Sequence, residues 1–93
     1  MEKRDPYILV VSPLFDSILR YLKKKDRAML RELDRNVEKI LREPMLGKPL
    51  RYTLRNRRRL HVAGSFVLVY EIHHQEIRLL DFDHHDRIYK KYQ

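Results

Sequence analysis

Ninety-three residues with 21 Lys and Arg against 13 Asp and Glu carry a formal net charge of +8, with 43% apolar residues and no cysteine. That length supports one hydrophobic core and one domain over residues 1–93, and the apolar share is enough for folding although 37% of the residues are charged. The lack of Cys removes disulfides, thiolate nucleophiles and Cys-ligated zinc or iron–sulfur centres, leaves His and carboxylates as the remaining metal ligands, and points to a reducing, cytoplasmic setting.

Apolar runs stay short, as at Ile8–Val11, far below the ~20 residues a membrane helix needs. Residues 1–6 hold charges and a proline in place of an apolar signal core and a small-residue cleavage site, so neither a membrane role nor secretion is expected.

In chain order, residues 7–11 (YILVV) form an aromatic and β-branched run that predicts a strand. Ser12-Pro13 then supplies a cap and a first-turn proline for a helix. Leu14, Phe15, Ile18, Leu19 and Leu22 recur at helical spacing there, with Asp16 early and Lys23, Lys24 and Lys25 late, as the helix dipole favours. Asp26 caps a second helix with the stripe Leu30, Leu33, Val37, Ile40 and Leu41, and Pro44 stops it, so the two read as a helical hairpin. From Leu50 the period falls to two. Strands are predicted at 51–54, 57–62, 66–72 and 76–82, with turns at Ala63-Gly64-Ser65 and His73-His74, and a short terminal helix within 84–92. The expected fold class is α+β: a three- to four-stranded antiparallel sheet with an N-terminal strand, the helix pair on one face and a short C-terminal helix.

Pairing across those turns sets Val62 opposite Phe66, His61 opposite Val67, Arg59 opposite Val69, Tyr70 opposite Ile77 and Leu68 opposite Leu79. One face then holds Leu60, Val62, Phe66, Leu68, Tyr70, Ile77 and Leu79 and receives the helices. The other holds Arg57, Arg59, His61, Val67, Val69, Glu71, Glu76, Arg78 and Leu80, where function is expected, while Arg58 points the other way or lies in the preceding turn. Glu71 and Glu76 are expected to pair with Arg57 and Arg78.

The charge is uneven. Residues 1–19 sum to −1, residues 20–43 to +4, residues 44–70 to +6 and residues 71–93 to −1. The basic segment has no acidic side chain and carries Lys48, Arg51, Arg55, Arg57, Arg58 and Arg59. Such a cluster seeks an anion: the guanidinium fork matches phosphate and releases condensed counterions on binding nucleic acid, although an acidic protein would satisfy it too.

These elements, in this order, resemble the RelE/ParE superfamily of bacterial and archaeal toxins. Residues 8–24 (ILVVSPLFDSILRYLKK) are similar to its opening strand and first helix, and Ile40-Leu41-Arg42-Glu43-Pro44 to the end of its second. Residues 59–70 (RLHVAGSFVLVY) resemble the family's Tyr-Arg-Leu-Arg-Val-Gly-Asp-Tyr-Arg-hydrophobic-hydrophobic-Tyr pattern. His84-His85-Asp86-Arg87-Ile88-Tyr89 resembles its His-Arg-x-x-hydrophobic-Tyr close. The resemblance implies a toxin that enters the ribosomal A site and cuts mRNA without a metal or small-molecule cofactor, restrained by a cognate antitoxin; the ParE branch instead poisons DNA gyrase. Cleavage of this kind uses the substrate's own 2′-hydroxyl as nucleophile, and needs a base, an acid and cations for the charge on phosphorus.

The chain departs from that pattern. The family's phosphate-contacting arginine falls on Val67, the arginine of its His-Arg pair on His85, and the second basic residue of Arg-Leu-Arg on His61. Either His61 and His85 form an acid/base pair, with Tyr89 orienting or donating a proton and Arg57, Arg58, Arg59, Arg87 and Lys90 binding RNA phosphate, or the nuclease has decayed and a basic binding face survives. Tyr89 also reads as a core aromatic, and His84 and His85 as a helix-start pair satisfying local backbone groups. No metal is expected, since adjacent histidines on a strand or turn point to opposite sides and none stands at i,i+4 on a clear helix.

Overall fold

A computed structural model describes residues 7–51 and 54–92. Five strands form one sheet in the order β1-β5-β4-β3-β2: β1 (Ile8–Val11), β2 (Lys48–Arg51), β3 (Leu54–Val62), β4 (Phe66–His73) and β5 (Glu76–His84). Helices α1 (Pro13–Lys25) and α2 (Arg27–Arg42) follow β1, a 3-10 turn (Pro44–Leu46) precedes β2, and α3 (His85–Lys91) follows β5.

The helix ends fall where the caps put them. The Ser12 side chain accepts from Phe15 N–H at 3.1 Å and donates to Leu80 O at 3.2 Å, so the cap of α1 also ties it to the sheet. Asp26 closes α1 and caps α2 through Met29 N–H. Phe15, Leu22, Leu33 and Ile40 project from the pair onto Val62, Leu68, Tyr70, Ile77, Leu79 and Phe82. Full burial of each large apolar side chain contributes about 1.5–3 kcal/mol.

Two expectations about the sheet change. It is mixed and five-stranded: β1 runs parallel to β5, Ile8 opposite Glu76 and Val11 opposite Leu79, while β3, β4 and β5 form the antiparallel meander. The α1–α2 hairpin carries the chain from one edge of the sheet to the other, and a short apolar run does not encode which edge it joins. Strand β2 starts earlier than predicted, at Lys48, and accepts Pro49 because it is an edge. Part of the stretch predicted at 51–54, residues 52 and 53, lies outside the described residues.

The β3–β4 register is as predicted, with His61 opposite Val67 and Arg59 opposite Val69. The β4–β5 register is not. The turn is His74-Gln75, with His74 at φ +57°, so Tyr70 faces Leu79 in place of Ile77 and Ile72 faces Ile77. That shift is even, so the faces survive it. A bulge between Val69 and Tyr70 then sets Leu68 opposite Phe82 and Val69 opposite Asp81. Bulges add a residue to one strand and re-aim its neighbours; Leu80 and Asp81 turn toward α3, and Phe82 returns to the helix side.

Candidate active site

Helix α3 lies on the face opposite the helical hairpin. Its buried Ile88 packs with Leu50, Val67 and Val69, and Leu80 and Tyr92 flank them. Polar anchors fix its end: Asp81, 1% exposed, accepts from Lys91 Nζ at 2.8 Å and from the Tyr92 hydroxyl at 3.2 Å. Burial and then the Asp81 carboxylate push the Tyr92 phenol up to about 12, with Arg57 pulling the other way. Burial alone would lower Lys91, but Asp81 and Asp83 outweigh it and raise it. For Asp83 burial acts upward, and the His84 N–H, Arg87 and Lys91 reverse it to a lowered value.

With Ile88 turned into the sheet, His85 and Tyr89 share a flank of α3, four residues apart. Their rings lie 6.1 Å apart, and Arg59 Cζ lies 6.0 Å from the Tyr89 centroid, inside the range of cation–π attraction. Arg59 Nη1 also donates to Pro49 O at 3.0 Å, so the guanidinium is held between the β2 backbone and the Tyr89 ring. Three predicted site residues converge here: Arg59, His85 and Tyr89. His61 follows Arg59 by two positions on the same face of β3 and is exposed, but among the described residues the ring contacts do not reach it.

The remaining predicted residues separate. Arg57 shares the α3 face, near enough to Tyr92 to act on its phenol, and stands opposite Glu71. Arg58 turns to the other side, donating from Nη1 to Gly47 O at 2.5 Å, and serves the fold. Arg87 pairs with Asp83 at 3.0 Å on the flank of α3 facing α1, away from Tyr89. Lys90 is exposed. Glu76 pairs with Arg78 at 2.8 Å as expected.

The paired histidines at the start of α3 depart from expectation. The rings of His84 and His85 lie 4.4 Å apart and do not project to opposite sides, because the strand ends and the helix begins between them. With Asp86 they bring metal-ligand atoms within 4.8 Å of one another, all from one tripeptide. His84 has the local role: its Nδ1 accepts from Asp86 N–H at 3.3 Å as the cap of α3. His85 Nδ1 lies 2.9 Å from Asp86 Oδ1, which leaves Nε2 for other work.

One further residue of the basic segment, not expected at the site, joins this surface. Lys48, opposite Arg59, lines a cavity of about 240 Å3 together with Leu46, Gly47, Arg59, Leu60 and His61. Its signal was the acid-free basic segment, but only the β2–β3 register singles it out from the other cations there.

The ParE toxin family of type II toxin–antitoxin systems (parDE) matches residues 9–89. A candidate toxin, RelE4 of Methanocaldococcus jannaschii, is 38% identical over 87 residues, 91% of this chain and 93% of that one. This chain belongs to the RelE/ParE superfamily of toxins. The solved toxin–antitoxin complex RelBE2 of Mycobacterium tuberculosis is similar at a TM-score of 0.68 and 26% identity, over 85% of this chain and 98% of that one. A YoeB dimer from Staphylococcus aureus shares the fold at a TM-score of 0.76 and 19% identity, over 86% and 98%.

The toxin's departure at Val67 has a physical reason. That position is fully buried and packs with Ile88, so it anchors α3 and touches no phosphate. Arg59 on the neighbouring strand and Lys48 opposite it carry positive charge on this part of the sheet.

Proposed function

We propose that this toxin is a ribosome-dependent endoribonuclease that cuts mRNA by metal-independent acid/base chemistry and is neutralised by a cognate antitoxin. The observation that carries the reading is the convergence of Arg59, Tyr89 and His85 beside the basic strand. With its Nδ1 proton directed to Asp86, the neutral His85 imidazole presents Nε2 as a base for the 2′-hydroxyl proton. O2′ then attacks phosphorus, the bond to O5′ breaks, and O5′ takes its proton from the imidazolium of His61. Arg59 and Lys48 compensate the charge gathering on the phosphoryl oxygens. The products are a 2′,3′-cyclic phosphate and a 5′-hydroxyl.

The antitoxin reading rests on membership of a toxin–antitoxin family and on the similarity to the RelBE2 complex. An acidic antitoxin segment complements the +6 carried by residues 44–70 and covers the basic face. Work on ribosomes places the toxin in the cytoplasm; among the described residues no helix is long and apolar enough to cross a membrane.

Inducing the toxin and mapping mRNA ends tests the proposal. Cuts at ribosomal codon positions that vanish with His85→Ala support it. Growth arrest with intact mRNA and broken gyrase complexes supports the second reading, a gyrase-directed toxin, which the match to the ParE family favours.

A further inference from the structure

The sheet has a notch where β2 begins. Lys48 pairs with Arg59, but the preceding chain turns away through Pro44–Leu46, so β3 continues to His61 and Val62 past the end of β2. This notch is the cavity of about 240 Å3. Hydrogen bonds hold its wall in place. Tyr70, fully buried, donates its hydroxyl to Pro44 O at 2.7 Å and accepts from Gly47 N–H at 2.8 Å, while Arg58 holds Gly47 O. A methyl on Gly47 would meet Arg59 O at 2.7 Å and the Tyr70 hydroxyl at 2.8 Å, so the wall packs directly on β3.

Because Arg59 O faces Gly47, strand alternation turns the peptide N–H and C=O of His61 to the same edge, beyond β2. A donor and an acceptor side by side on an uncovered strand edge match the hydrogen-bonding edge of a nucleobase. Unstacked single-stranded bases are the usual object of specific RNA recognition. The volume falls short of the ~300–1,000 Å3 of sites that engulf a drug-sized ligand, which suits one base. Leu46 gives an apolar wall, and Lys48 and Arg59 give cations for the attached phosphate.

We propose that this notch binds one unpaired nucleotide of the RNA, its base against the His61 edge and Leu46 and its phosphate toward Lys48 and Arg59. The inference rests on the RNA-cutting reading and extends it. Arg59 is shared between the notch and the Tyr89 ring, so the bound nucleotide adjoins the phosphodiester presented to His85. Tyr70 is a positioning residue that holds the wall.

The test is a titration of the full chain with adenosine 5′-monophosphate and, separately, ribose 5-phosphate, followed by amide NMR. With only two glycines in the chain, Gly47 is readily assigned. The expected result is saturable movement of the Gly47 and His61 amides with the nucleotide and no His61 movement with the sugar phosphate. Leu46→Asp, at a surface position, should weaken nucleotide binding about tenfold, the equivalent of one lost contact of ~1.4 kcal/mol, with unchanged thermal stability. Tyr70→Phe should weaken it too and alter the sequence preference of cutting, which loss of stability alone would not change. Equal movement with both ligands, or movement confined elsewhere, would overturn the subsite. The titration uses no ribosome, so absent cleavage with the shifts present removes the nuclease reading alone. Cleavage without the shifts removes the subsite alone.

Discussion

Asp81 is the place to test whether α3, and the two side chains it presents, depends on one buried anchor. The carboxylate is 1% exposed and accepts from Phe82 N–H and Lys91 Nζ at 2.8 Å and from the Tyr92 hydroxyl at 3.2 Å. Removing one partner of a fully buried ion pair costs about 3–5 kcal/mol. Lys91 is 42% exposed and keeps Asp83 at 3.6 Å, so water and that carboxylate recover part of the loss. Asp81→Asn, which retains an acceptor for Phe82 N–H, should therefore cost about 2 kcal/mol. At ~4–8 °C per kcal/mol for a domain of this size, the melting temperature should fall by roughly 8–16 °C. Circular dichroism melting measures this, and amide exchange at Tyr92, whose N–H bonds Ile88 O, reports α3 directly. Lys91→Met should reproduce a smaller part of the loss. A fall under about 3 °C with unchanged exchange would refute the claim that this anchor seats the helix.

The same geometry sets four further outcomes. Gly47→Ala should destabilise by about 1–3 kcal/mol in urea unfolding because its methyl meets backbone, whereas Gly64→Ala, at φ +84° with open space around it, should cost only about 1 kcal/mol of backbone strain. Arg59→Ala should lower RNA affinity and reduce the salt slope of binding by about one unit; Arg58→Ala should leave that slope unchanged and lower the melting temperature, since its partner is Gly47 O. Tyr92, pushed up to about 12, favours the neutral phenol in the fold, so its contribution is complete below the unfolded value of ~10 and is lost as pH rises through the folded one. Stability measured across that alkaline window should decline less steeply in Tyr92→Phe. Tyr89→Phe should retain most activity if the ring's role is to hold Arg59, and a loss of cleavage as large as that of Tyr89→Ala would show that the hydroxyl takes part.

Much of this arrangement was legible in the sequence. Ser12, Asp26 and Pro44 set the helix boundaries through local hydrogen bonding, which needs no knowledge of distant partners. The alternation along 57–62 and 66–72 placed Arg59 and His61 on one face, and the Ala63-Gly64-Ser65 loop fixed that register; of the two places open to Arg58, the opposite face is the one it takes. The partner of β1 was not legible, because parallel pairing is chosen by where the helical hairpin delivers the chain. Nor was the bulge at Val69 and Tyr70, which determines that Asp81 faces α3. Val67 and Val69 looked like parts of an open functional face, yet α3 covers them. The candidate cluster therefore lies along the rim of that helix, where His85 and Tyr89 meet Arg59, and Lys48 joins it only through a strand pairing with Pro49 inside it.

The most direct test of the central claim is cleavage of a defined mRNA on purified, programmed ribosomes by the isolated toxin, compared with His85→Ala. Acid/base catalysis by His85 predicts cutting that leaves 2′,3′-cyclic phosphate ends and falls by at least ~100-fold in the variant, the usual contribution of a positioned base. Full activity in His85→Ala, or no cutting by the unaltered toxin on programmed ribosomes, would contradict it.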